Sequence, residues 1–337
     1  MTAVLVTGGA GYVGSHTCKA LALAGYRPVV VDRLAGGHRQ AVRWGPLNVA
    51  DLHDTATITH LLVEEKIEAV LHFAGRIQVG ESVARPDLYY ADNVAASLSL
   101  LTAMGNAGVR TLVFSSSAAV YGLPHTVPVA ETHPLAPINP YGETKRVIEE
   151  ALRWFGGGNY GLRWAALRYF NAAGADPDGE AGEAHDPETH LIPLALDAIL
   201  RVRPPLTVFG TDYPTPDGTA IRDYIHVSDL AAAHVRAVQV LQAGGGPLVL
   251  NLGAGHGYSV REILAAAHMV TGQPVPVRYA PRRAGDPPQL VAAATRAQTV
   301  LGWQPVWSAL PCLLETAWRW HQRKAVLPPE RWWEPRA

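Results

Sequence analysis

The run "VLVTGGAGYVGSH" (residues 4–16) passes from β-branched residues into glycine and then into a helical pattern. Gly8, Gly11 and Gly14 follow G-x-x-G-x-x-G spacing, directly after a predicted strand and at the opening of a predicted helix. Glycine permits positive φ in such a turn. It also lets backbone N–H groups approach a pyrophosphate, whose charge the helix N-terminus favours. A glycine triplet alone is a weak signal. Here the strand before it, the helix after it and Asp32 at the end of "VVVD" supply the context of a dinucleotide fold. A carboxylate at Asp32 accepts from a ribose hydroxyl and repels a 2′-phosphate, which predicts NAD, although the neighbouring Arg33 is the residue type that serves NADP.

Beyond this unit, short apolar runs alternate with longer helical patterns, and strands are predicted at 3–8, 26–32, 67–75, 110–117 and 162–170. Such runs with glycine-rich exits read as parallel strands buried on both faces. "SHTCKALALAGY" and "PDLYYADNVAASLSLLTAMGNAG" have helix length and apolar spacing, the second closing on Gly108 as a C-cap. The alternation predicts an α/β fold, a doubly wound parallel sheet of the Rossmann type. After about residue 172 the texture turns to Pro, Gly, Asp and Glu ("NAAGADPDGEAGEAHDPETH"), a long loop leaving the sheet. A smaller mixed α/β region follows, with strands near 206–209, 248–252 and 275–279. The expected organisation is a cofactor domain over 1–172, to which the chain returns around 218–250, and a substrate domain over 173–330. The tail "LPPERWWEPRA" reads as irregular, its tryptophans as packing residues.

Composition narrows the class of protein. Of 337 residues, 48% are apolar and 17% charged, and the formal net charge is −1. There is no basic block of the kind that tracks nucleic acid. No apolar run approaches the roughly 18–20 residues that span a bilayer. "MTAVLVTGG" lacks the basic start of a signal peptide. Two cysteines, Cys18 and Cys312, support neither a disulfide framework nor a cysteine zinc site, and no metal is expected. The expectation is a cytoplasmic protein that binds a small molecule, with no nucleic-acid or membrane partner.

Tyr141 and Lys145 stand four apart in "PYGETKRVIEE", at the start of a helical pattern, so their side chains share a face. A phenol with an ordinary pKa of about 10 is a poor base at neutral pH. A neighbouring ammonium and a positively charged nicotinamide both favour phenolate and are expected to lower that value. Ser117 ends the fourth strand in "FSSSAAVYG", where loops of a doubly wound sheet meet ligand, and its hydroxyl can hold a substrate oxygen beside Tyr141. Singly each is ordinary, since a Tyr/Lys pair on a helix is usually a solvated face. Together with the upstream fingerprint they favour catalysis.

Fingerprint, "YGETK" and serine-ended strand resemble the extended short-chain dehydrogenase/reductase superfamily. Within it, "HFAG" (72–75), "VGESVARPDLYYADNV" (79–94), "LRYFNAAGA" (167–175), "FGTDYPTPDGTAIRDYIHVSDLA" (209–231), "NLGAG" (251–255) and "APRRAGDPP" (280–288) are similar to the UDP-glucose 4-epimerase family. The similarity runs from residue 3 to about 320. It implies an isomerase that keeps NAD bound and interconverts UDP-glucose and UDP-galactose through a transient 4-keto sugar. In that scheme Tyr141 takes the 4-hydroxyl proton, Ser117 holds the 4-oxygen and Lys145 binds the nicotinamide ribose. The implied NAD contacts are Gly8, Gly11, Tyr12, Val13, Gly14, Asp32, Asn48, Val49, Phe73, Ala74, Gly75, Asn93, Ser115, Tyr141, Lys145 and Tyr169. The implied UDP-hexose contacts are Ser117, Tyr141, Asn171, His190, Leu191, Phe209, Arg222, Arg283, Asp286 and Leu290. Arg222 and Arg283 would grip the pyrophosphate through charge-assisted forks. Members of the family pair two helices per subunit, so a homodimer is expected, built on 87–107 and the helix after Tyr141.

Several positions depart from that family's pattern. Asn48 and Val49 stand where relatives place Asp before an apolar residue to read adenine. Ile77 replaces a lysine directed at the NAD phosphates, with Arg76 beside it as a substitute. Ala119 replaces a sugar-contacting threonine. Leu290, between the tyrosine of sugar-only enzymes and a smaller residue, implies tolerance of UDP-N-acetylglucosamine. An epimerase of another UDP-sugar (N-acetylhexosamine, pentose or uronate) remains open. A nucleotide-sugar 4,6-dehydratase needs an acid and a base before "VYG", where this chain has Ala118 and Ala119. A non-catalytic NAD-sensing protein would be expected to have lost Tyr141, Lys145 or Ser117, and all three are present.

Overall fold

The computed structural model describes residues 1–157, 160–283 and 285–334. Its main sheet begins with β1 (Ala3–Thr7), β2 (Arg27–Asp32), β3 (Leu47–Val49), β4 (Ile67–His72), β5 (Thr111–Ser117) and β6 (Arg163–Tyr169). The chain then forms β7 (Asn171–Ala173), β8 (Leu206–Phe209) and β9 (Ile221–His226) elsewhere, before β10 (Leu248–Leu252) returns as the seventh strand. The order is β10-β6-β5-β4-β1-β2-β3, and every pair is parallel.

All five residues of β1 are buried, and alternate ones face opposite ways, as a strand's period of two requires. Val4 and Val6 join a core with helices Tyr12–Leu23 and Val227–Gln242. Ala3 and Leu5 join the other core, with helices Thr55–Glu64, Ala96–Ala107 and Pro140–Gly156. This is the doubly wound α/β sheet that the apolar runs predict. Strand order reverses between β1 and β4, so the crevice for ligand opens at the carboxyl ends of these strands.

Several strands differ from expectation, among them β9, six residues that no expected run covers. β3 is only three residues long, too short to show a pattern in the sequence. The 248–252 strand, read with the smaller region, pairs instead with β6, Leu248 facing Ala165 and Leu252 facing Tyr169. The smaller region holds β11 (Gly257–Ser259), β12 (Val277–Ala280) and β13 (Gln289–Leu290). β9 pairs with β7, β11 and β13, and β12 pairs with β8. Helices Leu191–Ile199, Val260–Thr271 and Leu310–Val326 close a separate core with Tyr224. The helix predicted over 86–108 is divided by a π-helical stretch at Tyr90–Ala95 and ends, as expected, on Gly108 with φ 75°. In the tail, Trp333 is buried against Trp320, while residues 335–337 lie outside the described residues. Among the described residues no helix is long and apolar enough to cross a membrane.

Three buried histidines join these layers, and their partners fix their tautomers. Ser97 gives its hydroxyl proton to the Asn93 carbonyl, so His72 donates from Nε2 to Ser97 (2.7 Å) and accepts from Thr7 at Nδ1 (2.7 Å). His226 accepts from Ser228 N–H at Nδ1 (3.0 Å) and donates from Nε2 to Thr316 (3.0 Å). His234 donates from Nδ1 to the Leu230 carbonyl (2.8 Å) and accepts the Tyr169 hydroxyl at Nε2. A second ring proton would face a donor in each case. Burial pushes His72 and His226 down to about 3, with Lys145 and His16 respectively adding to it. Burial likewise pushes His234 to about 4, against the opposing Leu230 carbonyl.

These folded-state values lie below the ordinary 6.5, so below about pH 6 the unfolded chain binds protons that the folded chain refuses. The stability these sites contribute is complete above that value and is lost as pH falls toward 4 and 3. Each site should steepen the loss by up to about 1.4 kcal/mol per pH unit. Urea-unfolding midpoints measured between about pH 7 and about pH 5 are expected to fall progressively, and a flat profile would contradict the assignment.

Candidate active site

At the crevice, the glycine loop lies against the segment that follows β4. Gly8 has φ 73°, and a Cβ there would stand 2.6 Å from the Ala74 nitrogen. A Cβ on Gly14 would stand 2.3 Å from the Gly8 carbonyl oxygen, so helix Tyr12–Leu23 can start only with this residue bare. That helix has no side-chain cap and no acid in its first turn, which leaves the N–H groups of Tyr12 and Val13 open to an anion. The Tyr12 side chain turns away, its hydroxyl donating to the Gly174 carbonyl (2.6 Å).

Asp32 is fixed at the end of β2 by N–H bonds from Ala10 (3.1 Å) and Leu34 (2.8 Å), one on each carboxylate oxygen. Arg33 is drawn off toward Asp92 (2.5 Å) and Asp51 (3.3 Å), so it does not offset the Asp32 charge. Asn48 lies on β3 with its amide 3.5 Å from the Val30 carbonyl, and Val49 beside it is 54% exposed. Phe73 packs against His234, the rings tilted by 43° with centres 4.8 Å apart. Asn93 accepts the Arg76 N–H (2.7 Å) and donates to the Arg76 carbonyl and to Thr144 (3.1 Å each), bracing the Gly75–Arg76 turn. Arg76 itself is held by Asp92 (2.6 Å) and Glu81 (3.2 Å) rather than standing free in place of a lysine. A cradle that no Cβ can enter, open helix N–H groups and a fixed carboxylate together fit a dinucleotide.

Next to it stands helix Pro140–Gly156, which starts where Asn139 accepts the Gly142 N–H (2.8 Å) and Pro140 takes the first position. A Cβ on Gly142 would stand 2.5 Å from the Ala119 carbonyl oxygen. This close approach sets Tyr141 beside Ser117, whose hydroxyl works against the effect of burial on the phenol and whose Oγ accepts the Ala119 N–H (3.1 Å). Lys145 Nζ donates to the Ser115 carbonyl (2.8 Å) and lies 4.9 Å from the Phe114 ring and 5.8 Å from the Tyr141 ring. Tyr141, Lys145 and Ser117 therefore meet at one point. The expected lowering of the Tyr141 pKa is absent from the protein alone. Burial raises it, opposed by the Ser117 hydroxyl, while burial pushes Lys145 down to about 8 against the pull of Glu149. The ammonium is spent on a carbonyl and does not reach the phenol oxygen.

Beneath these groups lies a buried network whose pairing the motifs do not predict. Glu149 accepts from Ser116 (2.6 Å) and from both Nε (2.9 Å) and a terminal nitrogen (2.5 Å) of Arg168. Arg168 also donates to Tyr121 (2.9 Å), which donates to Asn251 (2.6 Å). A sequence signal for it exists: Lys145 and Glu149 share one helix stripe with Ile148 and Leu152, so both charges fall on the apolar face. Tyr169 is buried opposite Ser117 on β6 and donates its hydroxyl to His234.

On the substrate side, Asn171 opens β7 opposite Tyr224, and Leu290 on β13 faces Arg222 on β9. Arg222 pairs with Asp286 and donates to the Ile221 carbonyl (2.7 Å). Arg283 lies over the Phe209 ring at 4.0 Å. Tyr213, absent from the sequence-based set, packs under Arg282 at 4.5 Å with its buried hydroxyl unpartnered among the described residues. His190 precedes helix Leu191–Ile199 but sits between Glu183 (2.7 Å) and Glu188 (3.0 Å). Burial disfavours its charge, yet the two carboxylates outweigh burial and raise it to about 10.

Residues 4–253 match the model of the NAD dependent epimerase/dehydratase family. The UDP-glucose 4-epimerase of Rhizobium leguminosarum bv. trifolii is 53% identical over 321 residues, which cover 95% of this chain and 97% of that one. The crystal structure of UDP-glucose 4-epimerase from Brucella ovis in complex with NAD is 50% identical and superposes with a TM-score of 0.92, over 94% of this chain and 98% of that one. That from Stenotrophomonas maltophila, with bound NAD and formylated UDP-arabinopyranose, is 42% identical with a TM-score of 0.92, over 96% and 98%. With the glycine cradle, the fixed Asp32 and the Ser117–Tyr141 contact in one crevice of a doubly wound sheet, this chain belongs to the NAD dependent epimerase/dehydratase family.

Proposed function

We propose that this chain is an NAD-dependent UDP-glucose 4-epimerase, with the cofactor carried by 1–172 and 218–250 and the substrate by the rest of 173–330. The observation that carries the reading is the convergence of Tyr141, Lys145 and Ser117 at the edge of β5, beside the glycine cradle. NAD bound in that cradle supplies a reversible hydride store for the sugar C4. The N–H groups of Tyr12 and Val13 meet its pyrophosphate, and Asp32 uses its remaining lone pairs on the adenosine ribose.

Tyr141 takes the proton of the sugar 4-hydroxyl and returns it after the sugar has turned its other face, while Ser117 holds the 4-oxygen. Because burial holds the phenol's pKa up, Tyr141 acts only when positive charge is added beside it. Lys145 spends one of its three N–H bonds on Ser115, and the other two can hold ribose hydroxyls. Arg222, aimed by Asp286, and Arg283, flattened on Phe209, grip the diphosphate away from C4. Fixing that end leaves the sugar free to rotate. Ala118 and Ala119 follow Ser117, so no group there can abstract the C5 proton that dehydration needs. Tyr90, Leu98 and Trp154 leave apolar surface on the Tyr90–Ala107 segment and on helix Pro140–Gly156, which supports a homodimer through these elements. The two free cysteines, Cys18 and Cys312, support a cytoplasmic enzyme.

Purified protein without added cofactor is expected to convert UDP-galactose to UDP-glucose, read by chromatography alongside UDP-N-acetylgalactosamine and UDP-arabinose. A 4-keto-6-deoxy product would sink the epimerase reading. Tyr141→Phe should lower kcat by about a hundredfold or more with NAD still bound, and a near-normal rate would remove Tyr141 from its role. Arg283→Ala should raise KM about tenfold or more, since a hydrogen bond to a charged group is worth about 1.5–3 kcal/mol. An unchanged KM would detach Arg283 from the diphosphate.

A further inference from the structure

Four side chains converge on the loop between β7 and helix Leu191–Ile199: Glu183, His185, Glu188 and His190, spaced E-x-H-x-x-E-x-H. Their ligand atoms all lie within 4.8 Å of one another. Glu183 Oε1 stands 2.9 Å from His185 Nδ1 and 2.7 Å from His190 Nδ1. Glu188 closes the ring, with Oε1 3.0 Å from His190 Nδ1 and Oε2 3.8 Å from His185 Nδ1. Donors at about 2.0–2.2 Å from a tetrahedral ion are themselves about 3.3–3.6 Å apart, so the three short edges of this ring, now at hydrogen-bond length, would open by several tenths of an ångström around an ion while the long one closes slightly.

We propose that Glu183, His185, Glu188 and His190 bind one divalent transition-metal ion, Zn²⁺ or a first-row neighbour, through two imidazole nitrogens and two carboxylate oxygens. An independent sign is the state of Glu188, whose side chain is only 2% exposed. Its Oε1 is fixed by the N–H groups of Thr189 (2.7 Å) and His190 (2.9 Å), while its Oε2 is buried, faces His185 and has no hydrogen-bond partner. An unpartnered buried carboxylate oxygen is costly, and a cation at the ring's centre satisfies it. Lys324, close enough to feel the charges of Glu188 and Glu183, donates to the Glu183 carbonyl (3.3 Å) rather than to either carboxylate. Mixed imidazole and carboxylate donors suit first-row divalent ions better than the all-oxygen sets of Ca²⁺ or Mg²⁺. The carboxylates form the floor, and the imidazoles, with side chains 22% and 39% exposed, leave a way in.

Such an ion would bind the start of the substrate-side helix to the back of the glycine loop, where the Tyr12 ring stands edge-on to His185 at 6.1 Å. It touches no reacting atom, and the inference does not rest on the epimerase reading. The test uses intact protein treated with a strong chelator, desalted, and titrated with Co²⁺ and then Zn²⁺. One Co²⁺ per chain is expected, giving visible d–d absorption that Zn²⁺ abolishes, with a melting temperature that rises as Zn²⁺ is added. His185→Gln and Glu188→Gln should each weaken Co²⁺ binding about tenfold or more and suppress the Zn²⁺-dependent rise. The wild-type titration stands even where a variant folds poorly. No Co²⁺ uptake by the wild-type protein overturns the proposal, leaving a protonated His190 clamped by two carboxylates, and equal uptake by well-folded variants overturns it too.

Discussion

Glu149 and Arg168, each with 2% of its side chain exposed, form the buried ion pair on which the catalytic edge rests. Removing both from water costs several kcal/mol per ion, and only dense hydrogen bonding recovers it. The pair has that bonding: Ser116 from β5, Tyr121 from the turn after it, and Asn251 of β10 reached through Tyr121. One charged pair thus ties helix Pro140–Gly156 to three strands of the sheet. Loss of either partner alone would strand a buried charge, a deficit of about 3–5 kcal/mol. Because Glu149 lies one helical turn beyond Lys145, it also sets the rotation of the helix that presents Lys145 and Tyr141 to Ser117.

Much of this was legible before any coordinates. Glycine spacing, a terminal Asp and buried apolar runs are local signals, and they announce the sheet and the cradle because backbone geometry there admits few other residues. Asp32 and Gly8 are of this kind. The Glu149–Arg168 pair is not, since the two residues stand in separate stretches, "PYGETKRVIEE" and "LRYFNAAGA", 19 positions apart, and nothing local to either predicts their pairing. The pairing of β10 is of the same sort: the run at 248–252 announces a strand, but its partner β6 lies far back in the chain. Pairing across such distances leaves no periodicity to read.

The substrate side was less legible still. Arg222, Asp286 and Leu290 do come together, yet through β9 and β13, whose two-residue pairing carries no propensity signal. His190 shows the limit most clearly. A motif position suggests a residue facing substrate, while its nearest neighbours are Glu183 and Glu188, two acids on the same loop. Spacing alone did not reveal that the loop curls back on itself.

The saturated histidines carry one more consequence. His72 and His234 flank the crevice, and each already has one nitrogen giving and one receiving a hydrogen bond. They behave as rigid couplers, comparable to amides, and cannot pick up a stray proton without breaking a contact. Tyr169, its hydroxyl committed to His234, is removed from acid–base traffic in the same way. Neither imidazole nor that phenol therefore competes for protons with Ser117, Tyr141 and Lys145, the groups expected to work beside the sugar. Few titrating partners around an oxidised intermediate suit a reaction that must return the hydride it has taken.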